Sequence, residues 1–256
     1  MLFRLPGLPA AIRGAYAAAG DLCEVRVLPW EDATPARPFL PAAGFGRVVE
    51  LRDVAFDPAF RGAAMIDFFL TRLGLDPAQV APARRRNAWL APRVRPVPAR
   101  RGHVLVCPRS SMALRDMPAR LHADLLRWLA AHAGRPVLTQ GPPAPGIEAA
   151  PRAADFPALC ALVAGAAAVV SVDTAMLHLA DAFAVPTLAL FTTHRPVWRV
   201  RDYPLCAALH FPVPGLPDAL EFSRGPADEA AARAAWPALA ALLPDLEALL
   251  SRIAPP

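Results

Sequence analysis

The chain has 256 residues, 55% of them hydrophobic and 19% charged, with a net charge of +5. That is room for one large domain or two of roughly 100 to 150 residues, and it is too apolar and too weakly charged for a disordered chain. All 27 basic residues are Arg, and with the Ala and Pro excess this points to a GC-rich coding sequence and not to a nucleic-acid partner.

Arg4, Pro6, Pro9 and Arg13 interrupt the N-terminus, so no targeting peptide is expected there. Cys23, Cys107, Cys160 and Cys206 lie far apart without a CxxC pair, which suggests neither a zinc site nor a disulfide framework and fits a reducing cytoplasm. The longest uncharged run, 156–172, contains Pro157 and Gly165 and turns β-branched at its end, so it reads as a buried helix and a buried strand instead of a membrane span.

Taken in chain order, residues 1–76 form a small α/β segment, with strands expected over 23–28 and 47–51 and a helix over 63–73 closed by Gly74. Residues 77–102 interleave Pro82, Pro92, Pro96 and Pro98 with seven Arg. The favoured expectation is a solvated linker, the alternative an anion-binding patch. From 103 the alternation becomes regular: strand 103–107, helix 118–133, strand 136–139, helix 155–164, strand 168–172, helix 174–183 and strand 187–191. Strands separated by helices predict a parallel, doubly wound α/β sheet over 103–226. A Pro-rich stretch follows over 204–217. The last segment, 227–256, carries Leu239, Leu242, Leu243, Leu246, Leu249 and Leu250 at helical spacing, which predicts a long closing helix kinked at Pro237 and Pro244.

Ligands of such sheets sit where strands end and helix N-termini begin. The strongest junction is Val172-Asp173-Thr174-Ala175-Met176, where Asp173 would cap a helix and free N–H groups would cradle a diphosphate. The Thr174 hydroxyl would add a donor, and His178 stands one turn further on the same face. A plain capped helix with an interface histidine would show the same residues. A second junction, after Cys107, offers Arg109, Ser110, Ser111 and Arg115, the chemistry for phosphate or carboxylate oxygens, or for a polar connecting loop. The third, with Gly141, is weak. There is no Walker A sequence, no GxSxG elbow and no His pair at metal-ligand spacing.

These residues carry a resemblance. Val170-Ser171-Val172-Asp173-Thr174 running into His178-Leu179-Ala180, then Val185-Pro186-Thr187 and the strand to Phe191, is similar to the nucleotide-binding C-terminal domain of glycosyltransferase family 9, the lipopolysaccharide heptosyltransferases of the GT-B fold. The similarity runs from 103 to about 204. It implies a GT-B-like protein with a reduced N-terminal, acceptor-side segment and a Rossmann-like nucleotide-sugar domain. The implied activity is sugar transfer from a nucleoside diphosphate donor, ADP-linked for example, to a saccharide or glycolipid acceptor such as lipopolysaccharide core. The alternative is a catalytically reduced nucleotide-binding or structural relative. Asp173, Thr174, Ala175 and His178 would hold the donor, with Ser110, Ser111 and Arg115 completing the clamp, and neither metal nor cofactor is implied. Such a protein would work in the cytoplasm, with at most peripheral contact at the inner membrane, and would bind no nucleic acid. Ala175 stands where many members have Gly, and Arg115 where Lys is usual. The family's catalytic Gly-Asp loop has no recognised counterpart, because Gly20-Asp21 precedes a strand. The acidic residues of the first segment are Asp21, Glu24, Glu31, Asp32, Glu50, Asp53, Asp57 and Asp67, and the base is unassigned.

Overall fold

Runs such as Val104-Leu105-Val106 and Leu188-Ala189-Leu190 are apolar at every position, so both faces of the strands they form must be covered. The computed structural model describes residues 57–253 continuously, together with Leu2–Phe3, Ala18, Arg26–Val27 and Val49. In the first segment, β1 (Leu2–Phe3) pairs in parallel with β2 (Arg26–Val27), which lies inside the strand expected over 23–28. Val49, within the strand expected over 47–51, is in no regular element, and the rest of that expectation lies outside the described residues. The short helix α1 (Pro58–Gly62) is followed by α2 (Met65–Arg72), which Gly74 closes at φ 77° as the sequence predicts. The Gly74 and Leu75 N–H groups return to the carbonyls of Thr71 and Leu70, the two bonds of a Schellman cap.

The stretch expected to be a solvated linker is docked in part: Arg84, Arg93, Arg95, Arg100 and Arg101 are exposed, whereas Arg85 and Arg86 are half-buried. It holds 3-10 turns at Pro77–Gln79 and Pro82–Arg85 and a short helix, α3 (Ala91–Val94). Arg85 Nε and Nη2 donate to the carbonyls of Val80 and Pro77, and Arg86 reaches Asp181 across the domain. Arg86 pairs a buried carboxylate and Arg85 satisfies the carbonyls of two half-buried residues, which is why this part of the Arg run folds onto the protein.

Six parallel strands make the main sheet: β3 (His103–Cys107), β4 (Val137–Thr139), β5 (Glu148–Ala149), β6 (Ala166–Val172), β7 (Thr187–Phe191) and β8 (Cys206–His210), in the order β5-β4-β3-β6-β7-β8. Helices α4 (Ala119–His132), α5 (Phe156–Ala164) and α6 (Ala175–Ala182) cross between strands, α5 capped by the Asp155 carboxylate on the Ala158 N–H at 2.8 Å. Val104, Val106, Val170, Val172, Leu188 and Leu190 face α4, while Leu105, Cys107 and Val169 face α5 and α6. The doubly wound α/β class is therefore as the sequence predicts. β5 and β8 extend the expected four strands to six. β8 was hidden in the Pro-rich stretch because Cys-Ala-Ala-Leu-His has no β-branched residue and, as an edge strand, is only half-buried.

The closing segment departs from one long helix. It is split into α7 (Pro226–Ala234) and a 3-10 turn leading into α8 (Leu243–Ser251), with 68° between the two halves. Pro237 stops the first half because it lacks an N–H and clashes with the preceding turn, whereas Pro244 lies in the first turn of α8, where no N–H is needed. A Leu stripe of this kind needs an apolar partner, and by resemblance to the closing helices of GT-B proteins that partner would be the first segment across the linker. Among the described residues it goes elsewhere: Leu242, Leu246, Leu249 and Ile253 bury themselves with α4 against the sheet. No single helix among the described residues is long and apolar enough to cross a membrane. We expect Leu246→Ala, at a fully buried position, to lower unfolding stability by about 2–5 kcal/mol in urea titration. A loss near zero would mean the stripe does not pack on the sheet.

Candidate functional site

In the order β5-β4-β3-β6-β7-β8 the chain leaves β3 towards one edge and β6 towards the other, so β3 and β6 form the topological switch point. Their carboxyl ends open the crevice where such sheets take ligands. Both strong sequence junctions meet there. Arg115, in a 3-10 turn after β3, places Nη1 3.1 Å from Asp173 Oδ2 at the end of β6, although 58 residues separate them. The Thr192 hydroxyl, just after β7, donates to the Leu114 carbonyl at 3.0 Å and ties a third strand end to the same loop.

Asp173 does not cap α6 as expected. Thr174 occupies the N-cap position with extended backbone, and no side chain among the described residues caps the helix. The reason is that the Asp173 carboxylate, 5% exposed, is already engaged by Arg115, by Arg199 Nε at 3.8 Å and by the His194 ring, with Nδ1 at 3.5 Å. The first-turn N–H groups of α6 thus face the crevice without a side-chain competitor. Ala175 opens the helix in ordinary helical conformation, which accommodates its methyl group.

The other expected residues divide. Ser110 spends its hydroxyl locally, accepting from the Met112 N–H at 2.9 Å and donating to the Met112 carbonyl at 2.7 Å, while its own N–H goes to Asp116 Oδ1. Ser111 is exposed on the same loop. His178 is partly buried, with Nδ1 2.6 Å from the Tyr203 hydroxyl. Burial pushes its pKa below the ordinary histidine value against the opposing pull of Asp173, so the ring is neutral near pH 7. Gly141 does allow a close approach, but to the protein itself: a Cβ there would lie 2.5 Å from Pro108 Cγ and 2.8 Å from His122 Cε1.

His194, Arg199, Glu221, Tyr203 and Asn87 belong to the site and were missed. Arg199 and Glu221 form an ion pair, and His194 Nε2 lies 3.1 Å from Glu221 Oε1. His194, Arg199 and Tyr203 come from the loop after β7, Glu221 from beyond β8 and Asn87 from the stretch before β3, with no recognisable local pattern. Only the position of Thr192-Thr193-His194 at a strand end could have pointed to one of them. A cleft of about 320 Å³ beside them is lined by Met65 and Phe69 of α2 and by His178, Trp198, Arg199 and Tyr203.

Residues 70–201 match the family model described as glycosyltransferase family 9 (heptosyltransferase). The chain belongs to glycosyltransferase family 9. The match contains both switch-point junctions, from Ser110 to His178. Among solved structures, dodecameric iron-containing heptosyltransferase TibC in complex with ADP-D-beta-D-heptose is similar over 98% of this chain and 76% of its own, at 14% identity and a TM-score of 0.56. This supports a shared GT-B-like fold. E. coli heptosyltransferase WaaC with ADP aligns over 72% of this chain at 17% identity and a TM-score of 0.46, and E. coli ADP-heptose lps heptosyltransferase II over 89% at 14% and 0.43. The chain spans 54% and 65% of those two proteins. No curated protein matches it by sequence.

In this family member Asp57 and Asp67 of the first segment are both held in ion pairs. Asp57 caps α1 and pairs with Arg72, and Asp67 is bound by Nη1 and Nη2 of Arg201, which holds its carboxyl below the usual range. Asp21, Glu24, Glu31, Asp32, Glu50 and Asp53 lie outside the described residues.

Burial alone would raise the Glu221 carboxyl, but His194, Arg199 and Arg115 outweigh it and hold its pKa at about 2. A carboxyl depressed below its unfolded value of 4.5 adds stability above that pH and loses it as pH falls towards 2. Glu221→Gln should therefore destabilise the protein at pH 6, with the gap to the parent narrowing as pH falls from 4.5 towards 2 in denaturant titrations. A gap independent of pH would show that Glu221 carries no such charge stabilisation.

Proposed function

We propose that the protein transfers a sugar from a nucleoside diphosphate donor to a saccharide or glycolipid acceptor, with the donor's diphosphate at the N-terminus of α6. The observation that carries this reading is the Arg115–Asp173 contact, which brings the β3 loop to an uncapped helix N-terminus at the switch point inside the family match. Asp173 is an anion and would not bind phosphate directly. It orients Arg115, whose Nε has no partner among the described residues.

Thr174 and the first-turn N–H groups would receive the phosphate oxygens, with Ala175 setting how closely they approach. His178 would donate from one turn further along, and Ser111, exposed on the facing loop, would close the clamp beside Ser110. Developing charge on the leaving diphosphate would be stabilised by these donors and by Arg115, which is the main source of rate in this chemistry. The structures of TibC and WaaC with ADP-heptose and ADP support ADP as the first nucleotide to try. Lipopolysaccharide core as the acceptor, a cytoplasmic setting and peripheral contact with the inner membrane belong to the same proposal.

A second reading, nucleotide binding without turnover, is favoured by one observation. Asp57, Asp67 and Glu221 are all held in ion pairs, and a carboxylate so held is a weak proton acceptor near neutral pH.

The test is ADP titration by calorimetry and melting. ADP should raise the melting temperature. Arg115→Ala should weaken binding about 10-fold or more, and Arg115→Lys less, since one charge-assisted hydrogen bond is worth about 1.5–3 kcal/mol. No binding of ADP, UDP or GDP by the parent protein would sink the donor-site reading. An assay with nucleotide sugars and a core acceptor then separates the two readings.

A further inference from the structure

Buried polar atoms must be satisfied, and around His178 this requirement leaves few choices. The chain of contacts starts at Asp181, buried in the last turn of α6. Its carboxylate only accepts. Oδ1 takes Arg86 Nε–H at 2.9 Å, and Oδ2 takes the Asn87 backbone N–H at 2.8 Å and Asn87 Nδ2 at 3.3 Å. The side-chain amide of Asn87 therefore cannot be flipped, because its carbonyl oxygen would then face a carboxylate. The same Nδ2 lies 2.7 Å from the Tyr203 hydroxyl, so Tyr203 accepts from Asn87. Tyr203 then has one proton to give, and His178 Nδ1 is 2.6 Å away.

We infer that Asn87 and Tyr203 are positioning residues that hold His178 as the neutral imidazole with its proton on Nε2, so that the ring presents a fixed hydrogen-bond donor to the cleft. The reverse tautomer, protonated on Nδ1, would point two hydrogens at each other or strand the Tyr203 hydroxyl proton without an acceptor. Either arrangement costs about 1–3 kcal/mol in a buried site.

The surroundings agree with a neutral ring. Burial lowers the His178 pKa, Asp173 and Asp181 pull it up, and Arg199 pushes it down. Burial likewise holds the Tyr203 hydroxyl well above its ordinary value, so it keeps the proton it donates. His178, Asn87 and Tyr203 all line the 320 Å³ cleft.

Asn87 belongs to the segment between the first α/β unit and the sheet. That segment therefore sets the tautomer of a histidine carried on α6, 91 positions further along the sequence. The use of the Nε2–H towards a donor oxygen rests on the function proposed above, but the tautomer itself does not.

The experiment is long-range proton–nitrogen NMR on protein labelled with 15N-histidine, with His178 assigned by the signals lost in His178→Gln. At pH 7 without nucleotide, His178 should show the Nε2–H tautomer. Tyr203→Phe, which keeps the ring and its packing, should abolish that preference and give a mixture. Asn87→Ala, which removes the donor to Tyr203, should weaken it. In the same variants ADP binding should fall about 3- to 10-fold with little change in melting temperature, as expected for one misdirected hydrogen bond.

An Nδ1–H or doubly protonated ring in the parent, or an unchanged tautomer in Tyr203→Phe, overturns the inference. A changed tautomer with unchanged ADP affinity removes His178 from the donor site. If the parent shows the expected tautomer yet binds no nucleoside diphosphate, the proposed function fails and the positioning role stands.

Discussion

Burying the Asp173 carboxylate at the carboxyl end of β6 is the constraint on which the site depends. An uncompensated charge at that depth would cost several kcal/mol, so cations must be brought to it. Arg115 comes from the loop after β3 and Arg199 from the turn beyond β7, and the His194 ring, from the end of β7, lies beside them. Arg199 in turn draws in Glu221, from beyond β8. A single buried acid thus fixes the relative position of the loops that follow four strands.

A consequence concerns the helix beside it. Because Asp173 is bound by cations, it leaves the N-cap position to Thr174, and the N–H groups of the first turn of α6 stay open. A side-chain cap would have blocked the one place where backbone donors and the helix dipole converge on the switch point. Local helix stability is traded here for an anion-receptive surface, as is common where function and local propensity disagree.

Order then passes along α6 to its other end. Asp181 would be unfavourable in a last helical turn, where the dipole is negative, and Arg86 offsets it by bonding both its carboxylate and its carbonyl. The Pro- and Arg-rich stretch is thereby docked, and Asn87 and Tyr203 inherit fixed positions next to His178. The two ends of one eight-residue helix are held by residues from opposite parts of the chain.

The sequence by itself determined the α/β class and the four inner strands of the sheet. β3 and β7 were legible to the residue because β-branched and apolar runs bounded by turn residues have one stable solution, a strand covered on both faces. The junctions at Ser110–Arg115 and Asp173–His178 were legible from strand-to-helix order and from their likeness to the family. Only the tertiary structure decided what those residues do. Whether Asp173 caps a helix or pairs with Arg115 depends on a cation 58 positions away. Whether Arg86 is solvated depends on the Asp181 carboxylate, and the Leu stripe of α8 finds its apolar partner on the sheet beside α4, which helical spacing alone does not specify. Arg199, Tyr203 and Glu221 carried no local signal, because ion pairing and hydrogen bonding act through space and leave no periodicity in the chain.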